Sequence, residues 1–284
     1  MKPNVPYHWA RFEGKLARDF YRAALPTIVR RKVCAPRELS LDVFAYSGEH
    51  ALPEQVASIR SFLNYAGRPK HFTIVSDGSH TGSSIELLEK IDNSVRVRLS
   101  PPLLPSGLPD KLRSYLTNHH TGKQLALIMS LPLSGPALYT DSDVLFFPAA
   151  HRLADISQTQ SVSAFYQADY QFSGDQRVLI NESEKQNPAN TGFLLLFREL
   201  DWSLAMERLR MLKGEPNFFT NQTLTHLCMH ANGAQAFDPQ KFVLQADDQT
   251  VYRDKYAGHS LVMRHYVNPV RHKFWIALAR RGFK

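Results

Sequence analysis

The sequence predicts an α/β protein with a Rossmann-like mixed central sheet and helices on both faces. Two observations lead there. Short apolar runs and helical stretches alternate as strand, helix, strand over residues 41–147, at the spacing of βαβ units. The chain has 284 residues and is 43% apolar, enough for one large core.

The elements follow in order. Residues 6–24 read as an amphipathic helix, with Trp9, Phe12, Leu16 and Phe20 on one stripe and Arg11, Lys15, Arg18 and Arg22 mostly off it. Pro26 is expected to end or bend it. The stripe is expected to dock on the main domain; the competing reading lays it on a membrane surface. Residues 1–40 thus form a basic helical extension, and a single domain is expected over 41–284. Leu41–Tyr46 reads as a buried strand, Glu54–Tyr65 as a helix, His71–Ser76 as a strand, Thr81–Ile91 as a helix and Val95–Leu99 as a strand. Pro101–Pro109 is a loop. Lys123–Leu131 is a helix, and Ala137–Phe147 a strand. Beyond it, Val162–Gln167 and Phe193–Phe197 read as strands, Trp202–Leu212 and Phe218–Met229 as helices, and Val243–Leu244 and Leu261–Val262 as short strands.

The net charge is +8, and it sits at the two ends: residues 1–40 and 264–284 are basic, and the middle is slightly acidic. Basic ends suit anionic lipid head groups or phosphorylated substrates. A nucleic-acid partner is not expected, because the basic ends carry no interleaved aromatic motif of the RNA-binding kinds. With two cysteines, no signal-peptide h-region and no membrane span, the expected setting is cytoplasmic, peripheral on the inner face of a membrane. No G-x-G-x-x-G follows the first strand, which argues against a dinucleotide-dependent oxidoreductase.

Chemistry concentrates at Ala137–Phe147, ALYTDSDVLFF. Unpaired buried charges are costly, so two acids inside apolar sequence need a reason. Residues i and i+2 of a strand share a face, so Asp141 and Asp143 are expected to flank one divalent cation at a strand end.

These features together resemble the nucleotide-diphospho-sugar glycosyltransferases of the GT-A fold, most closely the glycogenin and lipopolysaccharide galactosyl- and glucosyltransferase group. The likeness spans about Leu41 to Trp275. It rests on the Lys-led helix at Gly122–Leu131, the D-x-D strand, Asn190-Thr191-Gly192, Asn221-Gln222 at a helix start, and a tail with His265 and basic residues. The resemblance implies a nucleotide-binding half over 41–150 and a donor-sugar and acceptor half over 151–284. It implies Mn²⁺, or Mg²⁺, held by Asp141, Asp143 and His265. It places Tyr46 and Asp77 at the base, Lys123, Arg271 and Lys273 near the diphosphate, and Asn190 with Gly192 at the donor sugar. Asn221 and Gln222 occupy the catalytic D-Q position, with Asn221 replacing the acid. Asp169, Asp247 and Asp248 are the other acids available to that half. The tail departs from H-x-x-G-x-x-K-x-W: it has Asn268-Pro269 near the expected Gly, Arg271 at the Lys offset, and Lys273 and Trp275 two residues late.

The implied function is metal-dependent transfer of a hexose from a UDP-sugar to a hydroxyl of a cell-envelope glycan or glycolipid, with retention favoured over inversion. Two alternatives stand beside it. One is a haloacid-dehalogenase-type phosphotransferase, with Asp247-Asp248 as its late acidic pair. The other is an inactive GT-A scaffold that binds nucleotide sugar.

Overall fold

The computed structural model describes residues 4–99, 104, 108–159 and 161–283. Most of the loop expected at Pro101–Pro109 lies outside them. A seven-stranded mixed sheet forms the centre. Its strands are β1 (Glu38–Ser47), β2 (Arg68–Ser76), β3 (Val95–Arg98), β4 (Ala137–Thr140), β6 (Ala164–Ala168), β7 (Ala189–Leu196) and β8 (Gln235–Ala236), in the order β3-β2-β1-β4-β7-β6-β8. β1 to β4 run parallel, and β7 runs antiparallel to both β4 and β6. A second sheet of three short strands joins β5 (Val144–Phe146), β10 (Met263–His265) and β9 (Phe242–Val243).

Helices cover both faces, as the continuous apolar strands require. Val43 and Ala45 of β1 face a core shared with α2 (Leu52–Tyr65) and the small sheet. Phe44, between them, faces the opposite core with Tyr139, Ile128 of α5 (His120–Met129) and Met229 of α8 (Thr220–Ala231). α3 (Gly82–Glu89) is capped by the Thr81 hydroxyl, which accepts from the Ser84 N–H. α4 (Asp110–Asn118), not expected from sequence, packs Leu112, Tyr115 and Leu116 against α7 (Ser203–Met211) and α8. One turn of helix, α6 (Leu153–Ile156), precedes β6.

Three expectations are corrected. The first concerns the strand at Ala137–Phe147, which breaks at its acids. β4 belongs to the large sheet and β5 to the small one, and Asp141-Ser142-Asp143 is the turn that carries the chain across. The acids converge through that turn, not through strand alternation.

The second concerns α1 (Val5–Ile28), which runs through Pro26 and docks by a different face from the one expected. Trp9, Phe12, Leu16 and Phe20 are 53–62% exposed. The docked face is Ala10, Gly14, Tyr21, Leu25 and Ile28. Small residues let the backbones close up: a Cβ on Gly14 would lie 2.5 Å from the carbonyl oxygen of His272, at the start of α9 (Arg271–Ala279). Tyr21 packs on Trp275 with ring centroids 5.3 Å apart. Arg18 ties α1 to Glu54 of α2 at 2.6 Å.

The third concerns Lys273. Its ammonium is fully buried, donating to the carbonyls of Val251 (2.8 Å) and Arg253 (2.6 Å) and lying 3.4 Å from Asp248. Arg264, also fully buried, pairs with Asp248 at 2.7 Å and with Asp254. Lys273 therefore anchors the tail and is not free to meet a phosphate. Removing one member of such a network strands its buried partners. Asp248→Ala is expected to cost about 3–5 kcal/mol, read as a lowered urea midpoint in circular dichroism.

Candidate active site

The site is built where the two sheets meet. Asp141 leaves β4, Asp143 enters β5, and His265 closes β10 beside it, in register with Val144. One ligand atom from each lies within 4.8 Å of the others. His265 Nε2 is 3.0 Å from Asp143 Oδ1 and 3.8 Å from Asp141 Oδ2. The other ring nitrogen, Nδ1, donates to Gln167 Oε1 at 3.0 Å, which leaves Nε2 to face the acids. A register shift between Tyr166 and Gln167 of β6 accompanies this fully buried amide, the kind of bulge that re-aims a side chain.

The charges interlock. Burial alone would raise the Asp143 carboxyl, but His265 and Arg271 hold it well below the usual carboxylate range. Burial would lower His265, and the Asp143 carboxylate outweighs it, so the imidazole is raised. Asp141 is raised by burial, which His265 only partly offsets. Two carboxylates thus gather the nearby cations His265 and Arg271. A set of two carboxylates and one imidazole fits a divalent ion such as Mn²⁺ or Mg²⁺.

A shell of neutral groups holds Asp141. Tyr139 Oη (2.8 Å) and Gln124 Nε2 (2.9 Å) donate to its Oδ1, and Gln124 Oε1 accepts from Asn221 Nδ2 at 2.8 Å. Asn221 therefore reaches the acids through Gln124, a residue that no motif flagged. Gly192 sets the clearance. Its carbonyl accepts from Asp141 N–H at 2.8 Å, and a Cβ there would lie 2.3 Å from His265 Cε1 and 2.7 Å from Asp141 Oδ2. Gly192→Ala is expected to weaken Mn²⁺ binding about 10–100-fold with the fold intact, measured by competitive Mn²⁺ titration followed by electron paramagnetic resonance.

Two cavities meet at this cluster. One is a pocket of about 390 Å³, lined by Asp141, Asp143, Asp169, Asn190, Thr191, Gly192, Asn221, Gln222, His265 and Arg271, with Tyr170, Phe218, Phe219 and Leu244 among its apolar walls. In it Gln222 Nε2 donates to Asp169 Oδ2 at 3.0 Å, and Asn190 Nδ2 contacts Gln222 Oε1 at 3.4 Å. Burial raises the Asp169 carboxyl. The buried Thr191 hydroxyl has no protein partner. The other is an open cleft of about 660 Å³ between α1, the 49–51 turn, Ser142-Asp143 and the tail. His8, Arg11, Lys15, Arg18, His50, Arg271 and His272 line it, against only Glu54 and Asp143 as acids. Asp143 and Arg271 belong to both cavities, and Arg271 pairs with Asp143.

Tyr46, Asp77 and Lys123 come together elsewhere, in a hollow of about 170 Å³ that shares no lining residue with either cavity. Lys123 Nζ donates to the Asp77 carbonyl at 3.3 Å, and the Asp77 carboxylate accepts from Ser79. Of the three further acids, only Asp169 faces the site. Asp247 is held by Lys255 and Tyr256, and Asp248 by Arg264. The late acidic pair of a phosphotransferase is thereby engaged away from Asp141. Gln124 had no sequence signal beyond its residue type, Asp169 was one of three acids available, and the cations of α1 were signalled only as part of a basic end.

No protein-family model matches the chain, and no curated protein sequence matches it. Solved structures do. Galactosyltransferase LgtC, in complex with donor and acceptor sugar analogues, superposes with a TM-score of 0.54 at 14% identity, over 84% of this chain and 95% of that one. Apo mouse xyloside xylosyltransferase 1 gives a TM-score of 0.52 at 13% identity, over 82% and 99%. The apo glycosyltransferase GlyE of Streptococcus pneumoniae TIGR4 gives 0.53 at 12%, over 85% of this chain and 60% of its own.

Proposed function

We propose that this chain, which has the GT-A fold of those transferases, is a metal-dependent glycosyltransferase. Its donor is a nucleoside-diphosphate sugar, a UDP-sugar, and its acceptor a hydroxyl of a cell-envelope glycan or glycolipid met at a membrane surface. One observation carries the reading. Asp141, Asp143 and His265 stand where a basic cleft joins a smaller pocket whose far side offers the neutral groups of Asn190, Thr191, Asn221 and Gln222. A sugar nucleotide has the same two arms, one anionic and one neutral, with the scissile bond between them.

The basic cleft suits the nucleoside diphosphate by charge and by size, since sites for such ligands run to roughly 300–1,000 Å³. The hollow at Tyr46, Asp77 and Lys123 falls below that range. The base then has two candidate positions, the cleft beside His50 and the hollow at Tyr46, Asp77 and Lys123 expected from sequence. Mn²⁺ or Mg²⁺ at the cluster supplies Lewis-acid stabilisation to the departing phosphate, and the imidazole in the set favours Mn²⁺. Arg271 turns its guanidinium from Asp143 to the diphosphate and adds a charge-assisted bond as negative charge builds. In the smaller pocket Asn190, the free Thr191 hydroxyl and Asp169 meet sugar hydroxyls, and Gln222 lies at the sugar face.

Retention is favoured because Asp169 is already engaged by Gln222. The acceptor proton then passes to the departing phosphate oxygen on the same face. A second reading rests on the raised Asp169 carboxyl: as a general base it would take the acceptor proton and give inversion. The function is tested by thermal melts with Mn²⁺ and a panel of nucleotide sugars, followed by proton NMR of the first product. A UDP-linked donor is expected to raise the melting temperature only with metal present. No donor-specific shift across the panel would defeat the proposal.

A further inference from the structure

α1 presents three faces. One is buried on α9, and a second, through Arg11, Lys15 and Arg18, walls the basic cleft. The third carries Val5, Trp9, Phe12, Leu16 and Phe20, each 53–66% exposed and spaced i, i+4, i+7, i+11, i+15. They form one apolar line about 22 Å long at 1.5 Å per residue. Docking rests chiefly on the opposite face; of the line, Phe20 stacks on the body, against Phe283 with ring centroids 5.7 Å apart.

We propose that this line is a docking surface for a bilayer containing anionic phospholipid. Large aromatics on one face of a helix with cations along its edge are the pattern of a helix lying in a membrane interface. The helical angles of Arg11, Lys15 and Arg22 put a cationic row along the edge between the apolar line and the cleft. Exposed Arg30, Arg31 and Lys32 extend the positive charge past the end of α1. Of the two acids on the helix, Asp19 is exposed and Glu13 is half-buried. A second copy suits the face less well. An antiparallel pair of these helices sets both cationic rows on the same edge, where like charges repel. With the line in the head-group layer, the cationic row lies at the lipid surface and the cleft mouth beside it. The proposal rests on the glycolipid reading of the acceptor for its purpose, but not for its geometry.

Trp9 is the natural reporter, because Trp275 is 2% exposed and Trp202 is partly buried. The full chain is mixed with vesicles of phosphatidylglycerol and phosphatidylcholine in equal parts, or of phosphatidylcholine alone. Binding is followed by co-sedimentation and by Trp9 emission. The expected result is binding to the anionic vesicles with a blue shift, weakened by salt. Leu16→Ser with Phe20→Ser is expected to weaken it about tenfold or more, and Arg22→Glu to weaken it independently. Metal-dependent hydrolysis of donor without lipid should be unchanged in the double variant, which also reports on its folding. Binding that ignores lipid charge, or that survives the double change, overturns the proposal. So does a dimer dependent on Leu16 and Phe20 in a chain that leaves vesicles unbound. Wild-type chain that binds vesicles yet is stabilised by no sugar nucleotide in the presence of metal would sink the proposed function and leave the docking surface standing.

Discussion

Asp143→Ala is expected to lower kcat/KM for sugar transfer by about 1,000-fold or more. The change removes the carboxylate shared by both cavities and leaves Arg271 and His265 without their partner. It should also abolish the metal-dependent rise in melting temperature produced by a UDP-linked donor. Asp143→Asn separates the charge from the packing. It preserves the shape of the turn yet cannot balance two cations, so it should behave like the alanine variant. Initial rates across a Mn²⁺ titration check both. A variant that keeps wild-type stabilisation by donor and metal would remove the ion from Asp143.

Asp169→Asn is expected to reduce kcat by about 100-fold while the anomeric configuration of the product is unchanged. An amide keeps one acceptor oxygen where the Asp169 carboxylate serves both Gln222 Nε2 and the Gln171 N–H, so the Gln222–Asn190 chain must re-pair. The pH profile gives an independent sign. The Asp169 carboxyl is raised, so it protonates at higher pH than an ordinary aspartate. Wild-type activity should then fall on the acid side above the usual carboxylate range, and that limb should be missing in the variant. An inverted product from wild-type enzyme would make Asp169 the base instead.

Much of this was legible in the sequence because buried parallel strands are continuous apolar runs. Leu41–Tyr46 and His71–Ser76 sit inside β1 and β2 for that reason. The convergence of Asp141 with Asp143 was legible too, but not the turn that produces it, since a chain changing sheets leaves no periodic trace. His265 lies on a three-residue strand, too short to pattern, and only the family likeness pointed to it. Lys273 was misplaced because spacing along a tail cannot show that Asp248, far off in sequence, takes its charge into the core. The docking face of α1 escaped because hydropathy weighs Trp9 and Phe12 heavily. Close helix approach selects Ala10 and Gly14 instead. Asp169 was one of three equivalent acids until the fold engaged the other two.

The turn at Asp141–Asp143 has a further consequence. Asp141 follows β4 of the large sheet, while Asp143 precedes β5 and His265 ends β10 of the small one. An ion held there would clasp the two sheets together through ligands far apart along the chain, and because only the folded chain brings those ligands together, it would stabilise the folded state. Loading metal and donor should therefore slow amide exchange in β5 and β10. Occupancy would be felt in the backbone before any bond is broken.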